Sequence, residues 1–288
     1  MNALVASTRA ELLRLRRWPA LWVLVGSWIS LNLAFVYAFN YIAYVTGDAS
    51  SPVTEGVPAE ALLADVLPAA VPEALVQGMP MFGGAILMIL GALAAGSGFG
   101  WGTWKTVLTQ GPGRVAAFGG TIVALALVVV GVVLATAVID LGISNVLAAV
   151  ESQPLAVPPL VEMAESVGAG VLVLGMWTAA GVLIGVLTKS PALAVGLGLV
   201  WALVVENLLR GVSGLIGGLS VVTDHLPGTA AGSLVGAMVG APGAGGDGDS
   251  TPGVLTVLDG GTAASVLLAY LATFLVLGAV MIRRRDLA

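Results

Sequence analysis

Residues 115–138 read VAAFGGTIVALALVVVGVVLATAV, an unbroken run of 24 residues without a charge. Crossing a hydrocarbon core takes about 20 apolar residues of helix, so this run alone is long enough to span a bilayer. Five more blocks of the same kind lie at about 20–45, 78–99, 167–188, 192–209 and 261–282. In lipid only helices and closed barrels satisfy every backbone group, and these blocks lack the short alternation of barrel strands. The pattern predicts an all-α membrane protein with six transmembrane helices in one transmembrane domain, 1–288.

Composition agrees. The chain is 58% hydrophobic and 9% charged, whereas a soluble domain carries roughly 25% charged residues. No basic stripe interleaved with aromatics is present, which argues against nucleic acid as a partner. The absence of cysteine excludes disulfides, Cys-ligated metals and thiol chemistry.

The position of the charges sets an orientation. Ten of the 11 Lys and Arg residues fall on one side of the six-span arrangement, in the N-terminal segment, the 100–114 connection, Lys189 and the C-terminal tail; only Arg210 falls on the other. The positive-inside rule then puts both termini in the cytoplasm and the chain in the plasma membrane as a multi-pass protein. Of the acidic residues, 14 of 16 lie on the opposite side. Segment 2–17, with Leu4, Leu12, Leu13 and Leu15 among Arg9, Glu11, Arg14, Arg16 and Arg17, predicts an amphipathic helix at the cytoplasmic interface. Trp18 and Trp22 mark the entry to the first span. That span is too long for a signal-peptide core and no small-residue cleavage site follows it, so it reads as a retained helix.

The connections read less regularly. Residues 46–77, with four prolines, and 139–166, with Asp140, Glu151 and Pro158-Pro159, read as loops. The fourth span turns at Lys189-Ser190-Pro191 straight into the fifth. The segment 210–260 is Gly-rich; its pieces 212–222 and 229–241 are apolar but too short to cross, and are broken at Pro227-Gly228. They predict external or re-entrant short helices between spans five and six.

Enzyme signatures are sparse. His225 is the single histidine and stands beside Asp224, which reads as a surface pair. The run Gly185-Val186-Leu187-Thr188-Lys189-Ser190 has the lysine of a phosphate-binding loop, but Thr188 replaces the glycine that must precede it and no strand leads in. Neither catalytic residues nor a cofactor or metal site are expected in this chain. Glu206 and Arg210, four apart on one face, are spaced for an ion pair near the water-accessible outer end of span five. With Asn207 they are candidates for an interfacial role or for a translocation path. Asn32 and Asn40 on span one are placed either to line such a path or to bind helices together. Small-xxx-small spacings such as Gly181…Gly185 abound, but 40 glycines make them weakly diagnostic. No inverted repeat, interrupted helix or set of buried charges is legible, which counts against an ATP-independent carrier or channel. A non-transporting membrane scaffold is the other alternative.

Four stretches together resemble the permease subunits of ABC-2 type transporters. They are Glu11-Leu12-Leu13-Arg14-Leu15-Arg16-Arg17-Trp18 before the first span, Gly102-Thr103-Trp104-Lys105-Thr106-Val107-Leu108 with Pro112 and Arg114 between spans two and three, Leu226-Pro227-Gly228-Thr229-Ala230 before the last span, and the closing Arg284-Arg285-Asp286-Leu287. Where that family commonly has a glutamate ahead of the Gly-Thr pair, this chain has Phe99, Gly100 and Trp101. The resemblance implies a permease subunit paired with a second permease, as a homodimer or a related heterodimer, and docked on two copies of a cytosolic ABC ATPase that holds the ATP and Mg. It implies ATPase coupling through Glu11, Arg14, Trp101, Thr103, Trp104, Lys105 and Arg114, and export as the activity. The apolar spans favour hydrophobic or amphipathic cargo, such as a drug, antibiotic or lipid-like molecule.

Overall fold

The computed structural model describes residues 3–47, 57–100, 102, 113–216, 218–239 and 251–284. Its elements are all helical, and no strand occurs among the described residues. Helix α1 is Ala3–Arg16. Six helices are long and apolar enough to cross a membrane: α2 (Pro19–Thr46), α4 (Pro68–Gly100), α5 (Arg114–Val150), α6 (Leu160–Thr188), α7 (Pro191–Ser213) and α10 (Gly260–Arg284). Three shorter helices connect them, α3 (Ala59–Ala64), α8 (Leu219–Thr223) and α9 (Pro227–Val239). The six spanning-length apolar helices expected from hydropathy are therefore present, as is the pair of short helices between the last two.

Among the described residues, two stretches expected to be loops are largely helix. Within 46–77, Pro58 caps the start of α3, and Pro68 and Pro72 sit in the opening turns of α4. Proline is tolerated there because the first N–H groups of a helix have no partner in any case, so these prolines start helices instead of breaking one. Leu62, Val66, Val71, Leu75 and Val76 are buried as a result. Likewise α5 does not stop at 138 but continues for 37 residues, about 55 Å at 1.5 Å per residue. Asp140, read as a loop residue, is inside that helix and fully buried. Pro227-Gly228, read as a break, opens α9.

The centre of the bundle is α4 against α6. Their most apolar windows are 61% and 72% buried, against 17% for both α7 and α10, which leaves the outer helices facing lipid. In lipid no hydrophobic drive brings helices together, so close backbone approach through small residues must do it. A methyl on Gly181 would run into the Met88 carbonyl oxygen, and one on Gly91 into the carbonyl of Thr178. Gly185 repeats the contact one turn along, where a Cβ would lie 2.9 Å from the Ala92 carbonyl oxygen. The Gly181…Gly185 spacing is thus the seam of the molecule.

Several helix ends gather at one end of the bundle. Arg14 of α1 donates to the Ala94 carbonyl of α4 at 3.4 Å, and Ser7 and Thr8 lie against Gly120 near the start of α5. Gly96 of α4 abuts Ser190 and Pro191 at the α6–α7 turn, and Gly278 of α10 abuts Phe118 of α5. That turn forms because Lys189 takes a left-handed conformation (φ 54) and Ser190 caps α7 by accepting from the Leu193 N–H. Every described basic residue except Arg210 belongs to this end.

Gly181→Ala should force α4 and α6 apart and destabilise the detergent-solubilised protein by about 1–3 kcal/mol, the usual cost of overpacking. Gly175→Ala on the same helix meets nothing within 4 Å and should unfold at the wild-type temperature. Thermal unfolding of the two variants side by side checks this.

Candidate functional site: two buried carboxylates at π-turns

Three of the spanning helices contain a π-turn: Leu33–Ala38 in α2, Met79–Gly83 in α4 and Val200–Val205 in α7. A π-turn bonds i to i+5, so residues five apart come onto one face, and such turns recur at functional sites. Two of the three turns here face a buried carboxylate.

The first is Glu206, directly after the α7 turn and fully buried. Trp201, five residues earlier, donates its indole N–H to Glu206 Oε1 at 2.9 Å, and the Gly228 backbone N–H donates to Oε2 at 2.8 Å. Gly228 is the second residue of α9, where backbone N–H groups lack helical partners and the helix dipole favours a negative charge. Only glycine fits, because a Cβ there would strike Glu206 Oε2. The expected Glu206–Arg210 ion pair is not formed. Both carboxylate oxygens are taken, and Arg210 Nη2 donates instead to Asn207 Oδ1 at 2.6 Å while Asn207 Nδ2 donates to the Leu203 carbonyl. Nor is Glu206 open to water at a helix end as expected, since α9 covers it.

A cavity of about 40 Å³ lies beside this cluster, lined by Met81, Trp177, Asn207, Arg210, Gly228 and Gly253 among others. It has room for one to three water molecules and is too small for an organic cargo. Trp177 is 3% exposed, and its indole N–H has no partner.

The second carboxylate is Asp140 on α5. Asn32 Nδ2 donates to its Oδ1 at 2.7 Å, and one turn away Trp28 donates to Thr136 Oγ1 at 3.0 Å. Further along, the hydroxyls of Tyr41 and Tyr44 both reach Glu151. The near-constant offset of these pairs means that α2 and α5 run parallel. Asn40, paired in the sequence reading with Asn32, bonds the Val36 carbonyl of its own helix. Sequence alone does not show the Asp140 cluster, because a charge there reads as the end of a span. The available signal was a period of four on both helices: Trp28 and Asn32 on one, Thr136, Asp140 and Ser144 on the other.

Of the expected coupling residues, Glu11 and Arg14 pair with each other at 2.8 Å, and Arg14 also lies over the Trp18 ring. Arg114 is the first residue of α5. Trp101, Thr103, Trp104 and Lys105, and also Arg285, Asp286 and Leu287, lie outside the described residues. Outside the spans, burial raises the Asp65 carboxyl above its ordinary value, while hydrogen bonds from Thr262 at the start of α10 lower that of Asp259. Compared with known proteins, the chain matches no family model and no curated protein.

Glu206→Ala should leave two N–H groups without acceptors, at about 1–3 kcal/mol each, and loosen α9. Amide exchange measured on α9 should accelerate, whereas Asn207→Ala, which removes only exposed bonds on α7, should leave it unchanged.

Proposed function

We propose that this chain is the membrane-spanning permease subunit of an ATP-driven exporter of the ABC-2 type. The observation that carries the reading is the gathering of α1, the end of α4, the start of α5 and the α6–α7 turn at the basic end of the bundle. With that end cytoplasmic, the two helices that bracket residues 101–113 and the amphipathic helix beside them form one surface. Two of the four sequence stretches that resemble the ABC-2 family meet that surface, the one that closes α1 and the one that ends at Arg114, the first residue of α5.

In this reading a cytosolic ATPase, two copies per transporter, binds ATP and Mg and pushes on the 100–114 segment and on α1. Force on 100–114 enters α4 and α5 directly. Because α4 is seated on α6 by backbone contact, the pair moves as one body, and the outer helices α7 and α10 adjust around it. A second permease subunit supplies the other wall of the pathway, and hydrophobic or amphipathic cargo leaves along the interface. The chain itself carries no catalytic role.

A second reading, an ATP-independent carrier, is favoured by one specific observation. Two carboxylates, Asp140 and Glu206, are fully buried within spans, and ionisable residues inside spans mark ion paths and proton relays in many carriers.

Affinity purification from the native membrane separates the two. The permease should bring down a near-stoichiometric ATPase with a Walker A motif, and Trp104→Ala or Lys105→Glu should lower its cargo-stimulated ATP hydrolysis without lowering membrane insertion. A chain that purifies alone and transports in an ion gradient without ATP would establish the carrier.

A further inference from the structure

Three oxygen-bearing groups meet between α2 and α5 with polar atoms left over. Asp140 Oδ2, Asn32 Oδ1 and the Tyr37 hydroxyl are all buried and all without a hydrogen-bond partner. Asp140 is 0%, Asn32 4% and Tyr37 4% exposed. Asn32 is held to Asp140 by its amide N–H, and Tyr37 faces the carboxylate without making a hydrogen bond of acceptable geometry. The π-turn explains why both α2 residues point there. Tyr37 is five positions after Asn32; in an α-helix the two would diverge, and the i→i+5 winding of Leu33–Ala38 brings them onto one face.

A lone negative charge in an apolar bundle is costly and is normally paired. No cation of this chain is on hand to pair it. The sequence has no Lys, Arg or His between Arg17 and Lys105, or between Arg114 and Lys189. Those stretches supply α2 to α6, which include every helix of the Asp140 cluster. Tyr37 is the titratable group facing Asp140. The elements packed on the same apolar cluster, α3 and the start of α4, add only carboxylates, Glu60, Asp65 and Glu73.

We propose that Asp140, Asn32 and Tyr37 form a binding site for a single positive charge, either a proton on the carboxylate or a sodium-sized cation. The donor set selects this class. Carboxylate, amide and phenol oxygens are hard ligands, unsuited to the softer transition metals. One carboxylate neutralises one charge, whereas divalent sites gather more acidic ligands, and no group of three His, Cys, Asp or Glu side chains exists among the described residues. The leftover atoms are also those that a bound charge needs, with two acceptor oxygens and a hydroxyl that can rotate either way. The Tyr41–Tyr44–Glu151 cluster lies further along the same two helices, toward the end of α5. The inference rests on this cluster alone and stands under either reading of the function.

The test uses the full chain in lipid nanodiscs, with wild type, Asp140→Asn and Tyr37→Phe compared. Unfolding temperature is followed in sodium against choline chloride at equal ionic strength. Infrared spectra at neutral pH are recorded with isotope-labelled aspartate, which separates Asp140 from Glu206. A proton in the site gives a labelled carboxylic-acid band that is lost in Asp140→Asn. Sodium in the site gives a sodium-specific rise in unfolding temperature that is lost in Asp140→Asn and weakened in Tyr37→Phe. The proposal is overturned if wild type shows neither the acid band nor the sodium effect, or if Asp140→Asn retains whichever is seen. Should Asp140→Asn fail to fold, an acid band that persists in Asp65→Asn and shifts in Tyr37→Phe, or a sodium effect weakened in Tyr37→Phe, upholds the proposal, and an acid band lost in Asp65→Asn with no sodium effect overturns it.

Discussion

The contact on which the rest of the structure depends is the meeting of two backbones, α4 and α6, at Gly91, Gly181 and Gly185. Lipid tails are as apolar as leucine, so helices in a bilayer gain little from burying side chains and must gain from close packing. Where side chains are absent, the backbones approach closely enough for dispersion over a long seam. The seam repeats every four residues, Met88 on Gly181 and Ala92 on Gly185, which fixes the two helices as parallel and in one register. The remaining helices pack around this pair, and α7 and α10 present most of their surface outward.

A different adhesive joins α2 to α5. Trp28 with Thr136 and Asn32 with Asp140 form a polar ladder along the same four-residue period. Hydrogen bonds between membrane helices contribute only about 0.6 kcal/mol each on average, so the ladder's main effect is on register. Sliding α2 by one residue would leave a buried carboxylate without its amide donor. The glycine seam tolerates no bulk and the ladder tolerates no slip, and together they restrict the bundle to one arrangement.

How far the sequence disclosed this follows from what hydropathy can measure. The six spans were legible because each is a long apolar block bounded by charge or turn residues, and the Lys189-Ser190-Pro191 turn because its residues carry their own backbone preferences. The extent of α5 was not, since a hydropathy window registers Asp140 as a charge and knows nothing of Asn32 at the same level on another helix. Pro58, Pro68 and Pro72 misled for a related reason. Proline reads as a breaker unless the helix start beside it is already known. The π-turns have no compositional signature, and without them the sequence places Trp201 and Glu206, or Asn32 and Tyr37, on different faces. The Glu206–Arg210 pair was suggested by spacing alone, and lost to the stronger claim of an N–H at the start of α9.

The two carboxylates are built alike but left in different chemical states. Glu206 has both oxygens occupied, one by an indole and one by a helix N-terminus, so it acts as the seat of α9. Asp140 has one oxygen occupied and one facing unpartnered groups, so it is the one with capacity for a ligand. They are connected through α4. Its π-turn ends at Gly83, and consecutive glycines there receive a tryptophan from each side: Trp28 packs on Gly83 and Trp177 on Gly84. Trp28 bonds the residue one turn before Asp140, and Trp177 borders the cavity beside Glu206. A shift of α4 at this junction would therefore move both tryptophans, and with them the surroundings of both carboxylates. Since α4 also runs on to Gly100 at the basic end of the bundle, one helix connects that end to the two tryptophans that border the buried carboxylates.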